Sequence, residues 1–180
     1  LTLTTHATET RRRFALARTI ALQIFGDTKI EEPLLERIQG GHPETRRLVR
    51  RHLASYFAGA LLLPYGAMLD ELERTRYDIE RVSELFNASY ESIAHRVCTL
   101  RDPARPSVPM HFLRVDIAGN ITKRYAGDGS PQPKRGGGCP LSVAHLAFLA
   151  PNTISRQYVV YPDGRTYFTF AKVVGERRGG

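Results

Sequence analysis

The spacing of apolar residues changes once along this chain, and the change falls at a cluster of prolines. Up to Leu100 the apolar residues recur every three or four positions, the period of a helix face. Asp102-Pro103 and the run Pro106 to Pro109 interrupt that period. Beyond them the apolar residues alternate with polar ones, as in half-buried strands. A chain with this order folds as α+β, a helical part followed by a smaller part with an antiparallel sheet and a short helix. The expected division falls between residues 1–105 and 106–180.

Within the first part, Arg11 to Phe25 places Phe14, Ala17, Ala21 and Ile24/Phe25 on one face, with Gly26-Asp27 as the expected stop. Glu32 to Ile38 reads as a short helix ended by Gly40-Gly41, and Pro43 opens the next one. There Val49, Leu53, Phe57 and Leu61 form the expected core stripe, opposite Arg46, Arg47, Arg50 and Arg51. Tyr65 to Arg74 follows Pro64, and Asp78 and Ser89 are expected caps for Ile79 to Phe86 and Tyr90 to Leu100. In the second part, strands are expected at Met110 to Ile117, Ile121 to Tyr125, Ile154 to Tyr161 and Arg165 to Val174, with a helix over Pro140 to Leu149. Pro162-Asp163-Gly164 is a hairpin turn signal.

The chain is 42% hydrophobic and 24% charged, enough for a packed core. Its net charge of +8 favours anionic partners without choosing among nucleic acid, phosphorylated small molecules and acidic surfaces. The longest apolar run, Phe57 to Pro64, falls short of a membrane span, and a cytoplasmic location is the expectation. Leu1 at one end, and Arg177 to Gly180 just after a strand-like run at the other, read as the ends of a fragment. Cys98 and Cys139 alone do not complete a four-cysteine metal or cluster site.

Arg11 to Gln23, RRRFALARTIALQ, resembles the first active-site helix of ImmA/IrrE-type metallopeptidases. In that family the string runs into HExxH, whose two histidines share a helix face and hold zinc while the glutamate activates the bound water. Arg18, Thr19 and Leu22 occupy those places here. The segment Leu53 to Pro64, LASYFAGALLLP, resembles the family's second helix, and Leu53 stands where an acidic ligand is expected. A guanidinium and two leucines do not hold Zn²⁺, so neither a catalytic residue nor a metal ligand is assigned. Three further blocks, HFLRVDIAGNITKRYAGDG, KRGGGCPLSVAHLAF and YPDGRTYFTFAKVV, resemble the short-chain fatty acyl coenzyme A regulator domain. In that family the domain follows an ImmA/IrrE-like region. Members include actinobacterial regulators of propionate, glyoxylate and acetate metabolism, and the methylcitrate-cycle (propionate) activator is the nearest in resemblance. The resemblance implies a ligand-sensing part of a transcription regulator. It also implies coenzyme A or a short-chain acyl-CoA as ligand, promoter DNA bound by a helix-turn-helix domain outside this chain, and a homodimer. It implies an iron–sulfur cluster only for a full-length protein whose further cysteines lie past Gly180.

Coenzyme A presents a 3′-phosphate, a pyrophosphate, an adenine and a narrow pantetheine arm. Phosphates favour arginine forks and lysines, and adenine favours an aromatic or guanidinium plane. The residues expected to meet these needs are Arg13, Arg18, Arg47, Arg50, Lys123, Arg124, Arg135 and Tyr158. The plainer reading of each basic run is a solvated helix face, of Gly136 to Gly138 a flexible loop, and of the strand tyrosines simple packing. His111 and His145 lack companions at metal-site spacing and read as structural. Two other functional classes fit the chain less well. Ile79 to Leu100 has a helix-turn-helix outline whose second helix would expose Glu91, Ser92, His95 and Arg96, few charges for phosphate contact. A dimerisation module without a small ligand is the other.

Overall fold

The computed structural model describes residues 8–38, 42–126, 129, 139 and 141–175. The chain forms two compact units, Leu1–Ser107 and Val108–Arg178.

In the first unit six helices follow one another: α1 (Glu9–Thr28), α2 (Glu32–Glu36), α3 (Pro43–Leu62), α4 (Tyr65–Arg74), α5 (Ile79–Leu85) and α6 (Tyr90–Val97). The caps follow the chemistry of the sequence. Asp78 accepts from the Arg81 amide and Ser89 from the Ser92 amide, each meeting an amide that has no partner within its helix. The expected stop at Gly26-Asp27 is corrected. The helix runs through both to Thr28 and closes at Lys29, whose φ of 55° is left-handed. One glycine inside a helix costs only about 1 kcal/mol relative to alanine, which the packed turn around Phe25 offsets.

α1 lies against α3 through small residues. Ala21 and Phe25 cluster with Ala54, and Leu53 and Phe57 close over them. The rings of Phe25 and Phe57 meet edge to face at 6.1 Å. The expected stripe on α3 is therefore displaced. Leu61 is exposed, Val49 is half-buried, and Ala54 and Ala58 carry the buried line. The reason is geometric: a step of four residues overshoots one helical turn by about 40°, so four such positions drift off a single face. The larger buried side chains, among them Leu63, Met68, Leu69, Leu72, Ile93 and Leu100, lie around α4 to α6.

The second unit holds two antiparallel hairpins and one helix among the described residues. β1 (His111–Val115) pairs with β2 (Ile121–Ala126), with a bulge at Arg114/Val115. β3 (Ser155–Val160) pairs with β4 (Thr166–Ala171) in unbroken register. The expected antiparallel sheet is thus present as two two-stranded sheets. Helix α7 (Val143–Leu149) packs on β3 and β4 through buried Val143 and Ala147. Two turns depend on glycine. Gly164 at φ +82° makes the β3–β4 turn, where the Arg165 guanidinium and amide hold the Asp163 carboxyl below the usual carboxylate range. Gly119 at φ +86° sits under His145, whose Cε1 would lie 3.1 Å from an added Cβ.

Candidate functional site

The positions corresponding to the peptidase ligands lie on α1 and α3. Thr19 turns its hydroxyl back onto its own helix, donating to the Ala15 carbonyl at 3.0 Å. Leu22 is partly exposed, and Leu53 packs against the Ala21, Phe25 and Ala54 cluster. Arg18 is exposed and has no hydrogen-bond or ion-pair partner among the described residues. Among those residues no three His, Cys, Asp or Glu side chains are grouped to hold a metal ion. On α1 Arg18 is thus an unengaged guanidinium among the described residues, with Phe14, Ala15, Ala21 and Leu22 three or four positions away.

Other basic residues singled out in the sequence are already engaged. Arg13 donates to the carbonyls of Phe86 and Asn87 at 3.4 and 3.1 Å, closing the C-terminal end of α5. Arg47 pairs with Glu44 on the surface at 3.1 Å. Arg50 Nε lies 2.8 Å from a carboxylate oxygen of Glu31, whose side chain is 1% exposed. The two charges touch, but neither Glu31 oxygen nor Arg50 Nε completes a hydrogen bond, so the attraction is chiefly coulombic. Beside it Arg46 reaches Glu32 at 2.8 Å. Glu31 was not singled out in the sequence. The signal available there was the adjacent pair Glu31-Glu32 facing the four-residue spacing of Arg46 and Arg50, one turn of a helix.

In the second unit, Arg124 is exposed on β2 opposite Leu113, while Lys123 stands directly opposite Arg114. Tyr158 projects from β3 with its ring 5.1 Å from that of Phe168. Tyr161 packs edge to face on Tyr167 at 5.2 Å, and His111 on the same ring at 5.7 Å. Lys134, Arg135 and Gly136 to Gly138 lie outside the described residues.

The thiols do not form a set. Cys98 is buried, its sulfur donating to the Ala94 carbonyl at 3.3 Å, and Cys139 is exposed. Two cysteines fall short of the four thiolates an iron–sulfur cluster takes, so this chain does not fit that group.

The helix-turn-helix outline over α5 and α6 needs a correction. Arg96 does not face outward. It is 6% exposed, and its Nε donates to the Leu63 carbonyl at 3.0 Å. Its guanidinium also lies 5.9 Å from the centre of the Tyr56 ring. Leu63 ends α3, where carbonyls lack helical partners, and the guanidinium meets that need. α6 is thereby left without its one outward arginine for a DNA phosphate. Burial pushes the Tyr90 phenol at the start of α6 up from its ordinary range, with the Asp78 carboxylate adding to it.

Residues 1–97 match the IrrE N-terminal-like domain, and residues 99–180 match the C-terminal region of the short-chain fatty acyl coenzyme A regulators. The chain belongs to the short-chain fatty acyl coenzyme A regulator family, with an IrrE-like N-terminal region. It is similar to the propionyl-CoA carboxylase regulator of Cereibacter sphaeroides, 40% identical over 99% of this chain and 38% of that protein. It is also similar to two Mycobacterium tuberculosis HTH-type transcriptional regulators. RamB is 38% identical over 97% of this chain and 36% of its own length, and PrpR is 39% identical over 90% and 33%. A solved M. tuberculosis transcriptional regulator superposes with a TM-score of 0.85 at 38% identity, over 93% of this chain and 51% of that one. The chain thus spans between a third and two fifths of the length of these curated family members. All of them are named as regulators, and identities this close do not single out the propionate activator among them. No single helix among the described residues is long and apolar enough to cross a membrane.

Proposed function

We propose that this chain is the ligand-sensing part of a helix-turn-helix transcription regulator of short-chain fatty acid metabolism, and that its ligand is coenzyme A or a short-chain acyl-CoA. The observation that carries the reading is Arg18, a guanidinium with no partner among the described residues, standing where a zinc-binding family places a metal ligand. The name of the C. sphaeroides relative, a propionyl-CoA carboxylase regulator, adds support.

In this reading Arg18 meets a phosphate of the ligand. Arg47 stays available on the surface of α3, because its pair with Glu44 contributes under about 1 kcal/mol and exchanges readily. Lys123, Arg124 and Arg135 supply further positive charge in the second unit, and Tyr158 an aromatic plane. Arg13 and Arg50 act by holding helices in place, given the carbonyls and the buried carboxylate they already meet. The ligand binds one conformation of the regulator better than another and so biases its hold on promoter DNA, through a domain outside this chain. The full regulator acts as a homodimer.

Titration calorimetry with propionyl-CoA tests the role of Arg18. Arg18→Ala is expected to weaken binding about tenfold, the loss of one charge-assisted contact. Equal affinities for the two proteins would remove Arg18 from the site.

A further inference from the structure

The β3–β4 hairpin carries large apolar side chains on the face that α7 does not cover. Ser155, Gln157 and Val159, with Tyr167, Thr169 and Ala171, lie on the side less exposed to solvent, where α7 packs. The opposite face sets Arg156 across from Phe170, Tyr158 across from Phe168 and Val160 across from Thr166. Tyr158 is 75% exposed, Val160 70%, Phe168 53% and Phe170 36%. Large apolar side chains this exposed and this contiguous mark a binding surface. The rings form a row, Tyr158 to Phe168 at 5.1 Å and Phe168 to Phe170 at 6.3 Å, tilted by 48° and 38°.

Charge selects the occupant. Among the described residues no acidic side chain lies on this face, and Arg156 stands at its end without a partner. The sequence of this unit, residues 108–180, holds ten Lys and Arg against four Asp and Glu, a net charge of +6; residues 1–107 carry only +2. Pairing with a second copy would bring like charges together. An aromatic row beside an arginine suits a planar base that carries phosphate.

We infer that the outer face of β3–β4 holds the adenine nucleotide end of coenzyme A, the base stacked on Tyr158 and Phe168 and a phosphate met by Arg156. The inference rests on the acyl-CoA reading and assigns the nucleotide to one face. It leaves the second phosphate of the pyrophosphate, the pantetheine and the acyl part to other residues.

The test titrates coenzyme A and adenosine 3′,5′-bisphosphate, the nucleotide end alone, against the chain and its Tyr158→Ala, Tyr158→Phe and Arg156→Gln variants. These side chains are solvent-exposed, and circular dichroism confirms that each variant folds. Both ligands should bind roughly tenfold more weakly to Tyr158→Ala and Arg156→Gln, while Tyr158→Phe keeps the affinity, because stacking needs the ring and not the hydroxyl. Coenzyme A binding that is unchanged in Tyr158→Ala would overturn the nucleotide site and leave the acyl-CoA reading standing. Bisphosphate binding that depends on Tyr158 without any coenzyme A binding would keep the nucleotide site and end that reading. An oligodeoxyadenylate that binds more tightly than the bisphosphate would give the face to single-stranded nucleic acid and overturn the inference. A dimer that Tyr158→Ala dissolves, with nucleotide affinity unchanged, would give it to a second copy and overturn it equally.

Discussion

Arg50→Ala is expected to destabilise the first unit by about 2–3 kcal/mol, measured by urea denaturation followed through helical circular dichroism. The side chain of its partner Glu31 is only 1% exposed, so removing the arginine leaves a carboxylate out of water without its ion-pair partner. Breaking a fully buried pair costs about 3–5 kcal/mol, and the 38% exposure of Arg50 lowers that figure through solvent screening. Arg47→Ala removes a residue of the same type from the same helix but from a surface pair, and should change stability by under about 1 kcal/mol. Glu31→Gln in the Arg50→Ala background should restore part of the loss, because an amide is cheaper to bury than a charge. If Arg50→Ala instead kept full stability and lost only ligand affinity, Arg50 would be a ligand contact and the ion pair incidental.

The second large effect is expected at Leu72. This side chain on α4 is fully buried, as are Met68 and Leu69 beside it. Leu72→Ala should cost about 3 kcal/mol, combining the lost transfer of three buried carbons with the cavity left behind. Asp102 and Arg105 fix the same helix from outside. Arg105 reaches Asp70 at 2.7 Å and Glu73 at 2.6 Å, while the Tyr65 hydroxyl donates to the Arg105 carbonyl and accepts from the Asp102 amide. The α1–α3 seam differs in kind. There Ala21, Ala54 and Ala58 bury little area each, and Phe25, Leu53 and Phe57 are the larger side chains that fill the seam. A loss under about 1 kcal/mol at Leu72 would mean that the core sits elsewhere.

Much of this organisation is legible in the sequence because it rests on local chemistry. Asp78 and Ser89 announce their helices, since a short side-chain oxygen at that position satisfies an otherwise unpaired amide. Tyr65 to Arg74 is bounded in the sequence as it is in the structure. The strands show their alternation, and Pro162-Asp163-Gly164 their turn. What stays hidden depends on contacts distant in sequence. Arg96 looks like a surface arginine until the end of α3, 33 residues away, presents it with the Leu63 carbonyl. Arg50 reads as part of a solvated face until the turn before α2 buries Glu31 against it. The end of α1 is misplaced because a glycine is a common stop signal and not an obligatory one. In the candidate site, the replacement of the zinc ligands by Arg18, Leu22 and Leu53 is visible from the letters alone. That Arg18 has no partner among the described residues, while Arg13 meets two carbonyls and Arg50 a buried carboxylate, follows only from the fold.

Native mass spectrometry of the purified chain with propionyl-CoA, acetyl-CoA and free coenzyme A tests the central proposal most directly. The account predicts a peak heavier than the protein by the mass of one coenzyme A species, present under gentle ionisation and lost when the protein is denatured. A spectrum holding only the bare protein at saturating concentrations of all three would contradict it.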